Sequence, residues 1–319
     1  MHVVVLAGGY GGAKMAHGFA LEAERRRRAG EEPLELAVVG NTADDLTLHG
    51  LHVSPDLDTL MYTLAGLANS DTGWGVRDET WSAAEMLGRY GEPTWFSLGD
   101  RDLATHIVRT ARLRAGERLT EVTDRLARSL GITAALLPMT DQPVATKVRT
   151  ADGWLDFQDY FVRRGHADEV LELRFAGIAD ARPTGEVAAA LRAASLVVIA
   201  PSNPFVSVGP ILALPGMAEA LAAAPARVVA ISPIVAGSAL RGPADQLLRS
   251  LAGEHGAAGV ARHYSRTYPG LIDDFVLDVA DVAATSEVAA AGYGALVTQT
   301  VLGSEDQRQE LARFLATSE

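Results

Sequence analysis

Asp44 and Asp45 stand side by side in Asn41-Thr42-Ala43-Asp44-Asp45. Neighbouring carboxylates repel unless a cation or an arginine lies close. Paired acids of this kind can hold magnesium, a hard ion that keeps several waters and bridges to substrate phosphates. The same stretch also reads as an aspartate-capped helix start. A second acidic pair lies in Ser54-Pro55-Asp56-Leu57-Asp58-Thr59. One of Asp56 and Asp58 serves as a helix cap, which leaves the other free to bind a hydroxyl or accept its proton. A third group, Leu98-Gly99-Asp100-Arg101-Asp102, precedes a helical segment with Thr105 and His106. It fits a surface turn with an arginine–aspartate pair, and a lone histidine such as His106 is more often structural than catalytic.

Anion binding has its own signals. Gly8-Gly9-Tyr10-Gly11-Gly12-Ala13-Lys14 places four glycines in five positions ahead of one of only two lysines. Glycines let the backbone approach a ligand, and the free N–H groups of a helix start face an anion. The segment is neither a Walker A loop nor a Gly-x-Gly-x-x-Gly fingerprint. A tight strand-to-helix turn is the plainer reading, but it needs fewer glycines. Ser202 and Asn203 in Pro201-Ser202-Asn203-Pro204 repeat the logic after another apolar run, and Ser232-Pro233 does so more weakly.

These groups need a scaffold. Residues 2–6 form a β-branched run, residues 13–28 read as a helix with a basic end, and residues 36–39 form a second strand. Strand, helix and strand in this order mark a parallel sheet. Strand signals return at 132–137, 144–149, 196–200, 227–232 and 275–277, with alanine-rich helical segments between the later ones. Residues 80–130 are mainly helical. The expected fold is a Rossmann-like α/β three-layer parallel sheet formed by residues 1–72 and 132–319. Residues 73–131 form a small inserted helical domain. In such a sheet, ligands bind beyond the carboxyl ends of the strands. Every candidate segment above follows a strand or opens a helix.

The composition narrows the class. The 319 residues are 48% apolar, enough for a large core. A net charge of −12 argues against broad nucleic-acid binding. Zero cysteines exclude disulfides, thiolate clusters and a cysteine nucleophile. No segment has the roughly 20 consecutive apolar residues of a membrane span. The apolar start lacks a basic leader, so the protein reads as soluble and cytoplasmic. Neither Gly-x-Ser-x-Gly nor His-Glu-x-x-His occurs.

Taken together, the segments resemble the 2-phospho-L-lactate transferase and phosphoenolpyruvate transferase family of coenzyme F420 biosynthesis. The resemblance runs through Gly8 to Lys14, Asn41 to Asp45, Ser54 to Thr59 and Gly73-Trp74-Gly75. It continues through Leu98 to His106, Pro138 to Pro143, Phe157 to Val162, Pro201 to Leu212 and Ser232 to Gly237, and weakens past about Gly256. It implies magnesium and two small-molecule substrates, the deazaflavin FO and a guanosine-diphosphate-linked three-carbon acid, lactate or enolpyruvate. A ribityl hydroxyl of FO would attack the β-phosphorus and release GMP. By similarity Asp58 and Ser97 touch FO, with Ser97 standing where some relatives carry lysine. Asp56, Thr59 and Arg101 complete that pocket. Asp44 and Asp45 match the magnesium carboxylates. Gly8, Gly9, Gly11, Gly12, Lys14, Asn41, Ser202 and Asn203 would hold the nucleotide.

Such a transfer needs alignment and charge neutralisation more than a covalent intermediate. Asp58 and Asp45 are the catalytic candidates, Asp58 as the base for the hydroxyl. Lys14 or Arg101 would add positive charge. The expected partners are these small molecules alone, without nucleic acid or membrane, and a homodimer is reasonable. Two other classes stay in view. A nucleotide-sugar-binding regulator without transferase activity needs only the phosphate cradle, not the acceptor pocket. A nicotinamide oxidoreductase fits the fold alone.

Overall fold

The computed structural model describes residues 1–318. Its centre is a seven-stranded sheet: β1 (His2–Ala7), β2 (Glu35–Gly40), β3 (Ala135–Pro138), β4 (Leu196–Ile199), β5 (Arg227–Ile231), β6 (Asp274–Asp278) and β7 (Gly294–Thr298). The spatial order is β7-β6-β5-β4-β1-β2-β3 and every pairing is parallel. Along β1, Val3 and Val5 point into one core with Phe19, Val38 and Leu57. Val4 and Leu6 point into the other, with Val39, Val197 and Ile199. Alternate side chains of a strand face opposite sides, and a parallel sheet buried on both faces needs such unbroken apolar runs.

Chain order fixes where a ligand can enter. From β1 the chain builds outward through β2 and β3, then returns so that β4 pairs with the other side of β1. Strand order therefore reverses between β1 and β4, and the loops after these neighbours diverge and leave a crevice. The glycine segment follows β1, Asn41–Asp45 follows β2, and Ser202-Asn203 follows β4, so all three meet at this rim.

Helix α1 (Gly9–Ala29) starts four residues earlier than residues 13–28 imply, so the glycines form its first turn and not a loop before it. Gly30, at φ +66°, closes the helix beside Arg26, Arg27 and Arg28, which suit its negative end. The excursion between β2 and β3 opens with a hairpin, Leu46–Leu48 against Leu51–Val53, and then α2 (Pro55–Leu64). It continues with α3 (Ser82–Arg89), α4 (Asp100–Arg114) and α5 (Leu119–Ser129), all within residues 73–131. Helix α4 packs on the hairpin and α5 on β3, while α3 buries none of its residues.

Two strands differ from expectation. Ala145–Thr150 lies outside the main sheet, in a three-stranded antiparallel sheet between Gly153–Asp156 and Glu172–Ala176. A turn in which Thr150 Oγ1 accepts the Asp152 N–H (3.2 Å) folds the chain back directly. Strand β7 gave no sequence signal because its residues are only partly buried at the sheet edge. Among the described residues, no helix is long and apolar enough to cross a membrane.

Candidate active site

A cavity of about 640 Å³ opens at the rim where strand order reverses. Gly8, Gly9, Gly11 and Lys14 line it from α1, Asp44 from the loop after β2, and Asp56, Asp58 and Thr59 from α2. Ser97 adds to it from before α4, and Ser202 and Asn203 from the loop after β4. Gly12, Asn41, Asp45 and Arg101 are not in its wall. The Arg101 guanidinium donates to the Arg77 carbonyl (3.0 Å) on an exposed surface.

The glycines have packing reasons of their own. A Cβ on Gly11 would collide with the Pro201 carbonyl oxygen, and one on Gly12 would lie 2.7 Å from Ser202 Oγ. Helix α1 therefore starts pressed against the loop after β4. Ser202 Oγ fixes the contact by donating to the Gly8 carbonyl (2.8 Å) and accepting the Gly8 N–H (3.4 Å). The Gly9 N–H donates to Asp56 Oδ1 (2.8 Å). The next amides of the first turn, on Tyr10 and Gly11, have no acceptor four residues back and remain for an anion. Asn203 Oδ1 accepts the N–H groups of Phe205 and Val206, so its amide nitrogen is left to donate.

Asn41 ties the acidic groups together. Its Nδ2 faces Asp56 Oδ2 (2.9 Å), Asp44 Oδ2 (3.1 Å) and the Val206 carbonyl (3.2 Å). Two hydrogens cannot satisfy three acceptors fully. Asp44 Oδ1 is buried without a hydrogen-bond partner. Burial, reinforced by the charge of Asp56, pushes the Asp44 carboxyl well above the ordinary carboxylate range. Burial likewise raises Asp56 to about 6, against the pull of Asn41 and the Gly9 amide. Two acids that share the Asn41 amide, one of them buried with an orphaned oxygen, suit a hard divalent cation. Asp45 points elsewhere: its Oδ2 accepts from Ser54 Oγ (2.8 Å) and pairs with His52 Nε2 (2.9 Å). Burial raises its carboxyl too. The adjacent aspartates thus diverge, one into the cavity and one into the hairpin.

Asp58, from α2, is buried and held by Arg109 of α4, which engages both carboxylate oxygens. His106 Nδ1 lies 3.3 Å from Arg109 Nη1, and His106 Nε2 lies 3.2 Å from Asp102 Oδ1. The Tyr62 hydroxyl donates to Asp102 Oδ1 (2.7 Å). Burial and the charges of Asp58 and Asp102 push the Tyr62 hydroxyl far up, so it stays protonated. Ligand atoms of Asp58, Asp102 and His106 lie within 4.8 Å of one another, but the Arg109 guanidinium already neutralises Asp58. Asp102, His106 and Arg109 recur at helical spacing, a signal that one face of α4 carries this network. Its pairing with Asp58 had no local signal.

Two further walls were assigned no role in the sequence reading, although Trp74, Phe157 and Phe161 lie in segments that carry the resemblance. Trp74, Phe96, Phe157 and Phe161 make an apolar lining, and Phe157 and Phe161 stack with centroids 5.3 Å apart. Arg241 lines the cavity near Lys14, and both cations lie against the Tyr10 ring, at 4.8 and 4.2 Å from its centre. Burial, then the charges of Arg308 and Arg241, lower the Lys14 ammonium below its ordinary value.

Comparison with known proteins bears on this arrangement. The family model described as 2-phospho-L-lactate transferase CofD matches residues 3–307. A phosphoenolpyruvate transferase of Kitasatospora aureofaciens is 42% identical over 318 residues, covering 98% of this chain and 96% of that protein. One of Streptomyces griseus is 43% identical over the same coverage. One of Thermobifida fusca is 44% identical, over 88% of this chain and 87% of its own. In structure, the chain is similar to a member of the UPF0052 family from Bacillus halodurans, with a TM-score of 0.66 and 98% of each chain covered. At 15% identity that likeness shows the fold alone. The chain belongs to the 2-phospho-L-lactate transferase CofD family, a family of transferases.

Proposed function

We propose that this enzyme moves a phosphoenolpyruvyl group from a guanosine-diphosphate-linked donor to the ribityl hydroxyl of the deazaflavin FO. One observation carries the reading: a single cavity joins the amide end of α1 and the Asp44–Asp56 acid pair to a fixed carboxylate, Asp58. The names of the relatives favour enolpyruvate over lactate as the acid.

The diphosphate lies against the free amides of Tyr10 and Gly11, with Asn203 donating beside them. Asp44 and Asp56 would hold magnesium, which neutralises charge developing on the diphosphate. Asp45 stands behind Asp44 and fixes the loop through His52 and Ser54. The FO ring occupies the apolar wall of Trp74, Phe96 and Phe161, with Thr59 and Ser97 at its polar edge.

The hydroxyl oxygen forms a new bond to the β-phosphorus as the bond from that phosphorus to the bridging oxygen breaks. GMP leaves with that oxygen, and the hydroxyl proton passes to Asp58. Arg109 occupies one lone-pair direction on each Asp58 oxygen and leaves another to accept. Holding the base rigidly is its contribution, since placement dominates such transfers.

The test is turnover. The protein is incubated with FO, magnesium chloride and either enolpyruvyl- or lactyl-diphosphoguanosine, and GMP and the phosphodiester are followed by chromatography and mass. Formation of both products, faster with the enolpyruvyl donor, is expected. Nucleotide binding without GMP would instead mark a regulator.

A further inference from the structure

Lys14 and Arg241 are cations without counter-ions. Among the described residues neither forms an ion pair, yet both rest on the same tyrosine ring at the cavity wall, Lys14 half-buried and Arg241 exposed. Like charges resting on one ring cost free energy unless an anion lies beside them, and burial, then the charges of Arg308 and Arg241, lower the Lys14 ammonium. Three separate segments maintain the arrangement. The Tyr10 hydroxyl donates to the Ser70 carbonyl (3.2 Å), and Arg241 Nη2 reaches the Asp71 carbonyl (3.5 Å). Gly73, at φ +74°, gives the guanidinium its passage, because a Cβ there would overlap Arg241 Nη1.

The donor proposed above carries two anionic parts, a diphosphate and the carboxylate of its acid. The α1 amides and the acid pair with its cation already suit the diphosphate. The second part lacks a partner among those groups. A guanidinium presents a planar fork that matches a carboxylate through two parallel hydrogen bonds, whereas an ammonium acts as a point charge. We infer that Arg241, supported by Lys14 beside the same Tyr10 ring, binds the carboxylate of the three-carbon acid and so selects acid-bearing guanosine diphosphates. The inference rests on the donor class given under Proposed function.

Titration calorimetry with magnesium present tests it on wild type, Arg241→Gln and Arg241→Lys. The three ligands are GDP, lactyl-diphosphoguanosine and the neutral amide of that lactyl compound. Wild type is expected to bind the acid about 10- to 100-fold more tightly than its amide, the range of a hydrogen bond to a charged group. In Arg241→Gln this preference falls to within about threefold, with affinity for GDP changed by less than about threefold. Arg241→Lys keeps part of the preference, because charge survives without the fork. Equal weakening of acid and amide in Arg241→Gln would overturn the assignment and put the guanidinium on the diphosphate. Unchanged discrimination in that variant would overturn it as well, while leaving the donor reading intact. Failure of wild type to bind any of the three nucleotides would overturn both. Circular dichroism melting of each variant shows that the loss is local to the ligand.

Discussion

Asp44 and Asp56 meet at one asparagine amide, and their shared burial is the source of their altered acidity. A carboxyl raised from 3.8 to about 6 in the folded state binds protons more tightly there than in the unfolded chain. Its contribution to stability is therefore intact below about pH 4 and lost as pH rises to about 6. Asp56→Asn removes that penalty. Without divalent ions the variant should melt at a higher temperature than wild type at pH 7.5, and the gap should close near pH 4. Magnesium should raise the melting temperature of wild type more than that of the variant. Thermal scans across pH and magnesium concentration check this, and a gap independent of pH would refute it. Asp58 makes a different prediction. Asp58→Asn should lower turnover by about 10²- to 10⁴-fold, the range of general-base catalysis, while GDP affinity stays within a few-fold. The same change strands the Arg109 charge in the interior and should cost about 3–5 kcal/mol of stability, read from denaturant midpoints. Turnover near the wild-type level would remove Asp58 from the chemistry.

Among the elements, the start of α1 matters most, because it must press against the loop after β4 to aim its amides. Gly11→Ala forces a Cβ into the Pro201 carbonyl, so the helix must shift. The expected loss is about 1–3 kcal/mol of stability, together with a measurable weakening of GDP binding. Gly185→Ala, at a helix start with open space around it, serves as the control and should stay within about 0.5 kcal/mol. Equal effects at the two sites would mean that helix propensity, not the close approach, governs Gly11. The elements were legible in the sequence to differing degrees. Strands β1 and β2 announced themselves through apolar runs that a doubly covered strand requires. Helix α4 was legible as a helix with Asp102 and His106, whereas Arg109 on the same face went unread although its helical spacing was there to see. What stayed hidden was tertiary: Asp58 meets Arg109 across 51 positions, and Arg241 reaches Tyr10 from the segment just before the helix Ala244–Ala252. Nothing local encodes either meeting. The glycine segment read as a cradle, and the structure shows that Gly11 and Gly12 also have packing duties against the loop after β4.

For the whole molecule, the return of the chain from β3 to β4 is the decisive event. It puts the loops after β1, β2 and β4 beside one another, so groups from residues 8–14, 41–45 and 201–203 share one rim although they are far apart in sequence. The hairpin and α2 between β2 and β3 bring Asp58 to the same cavity from the other side. Both parts of the cavity wall are thus assembled by topology before any side chain is chosen.

The most direct check is a crystal structure of the protein with GDP and magnesium. The diphosphate should lie against the amides of Tyr10 and Gly11, with the metal on Asp44 and Asp56. A nucleotide bound outside the crevice between β1 and β4, or a metal held without Asp44, would contradict the account.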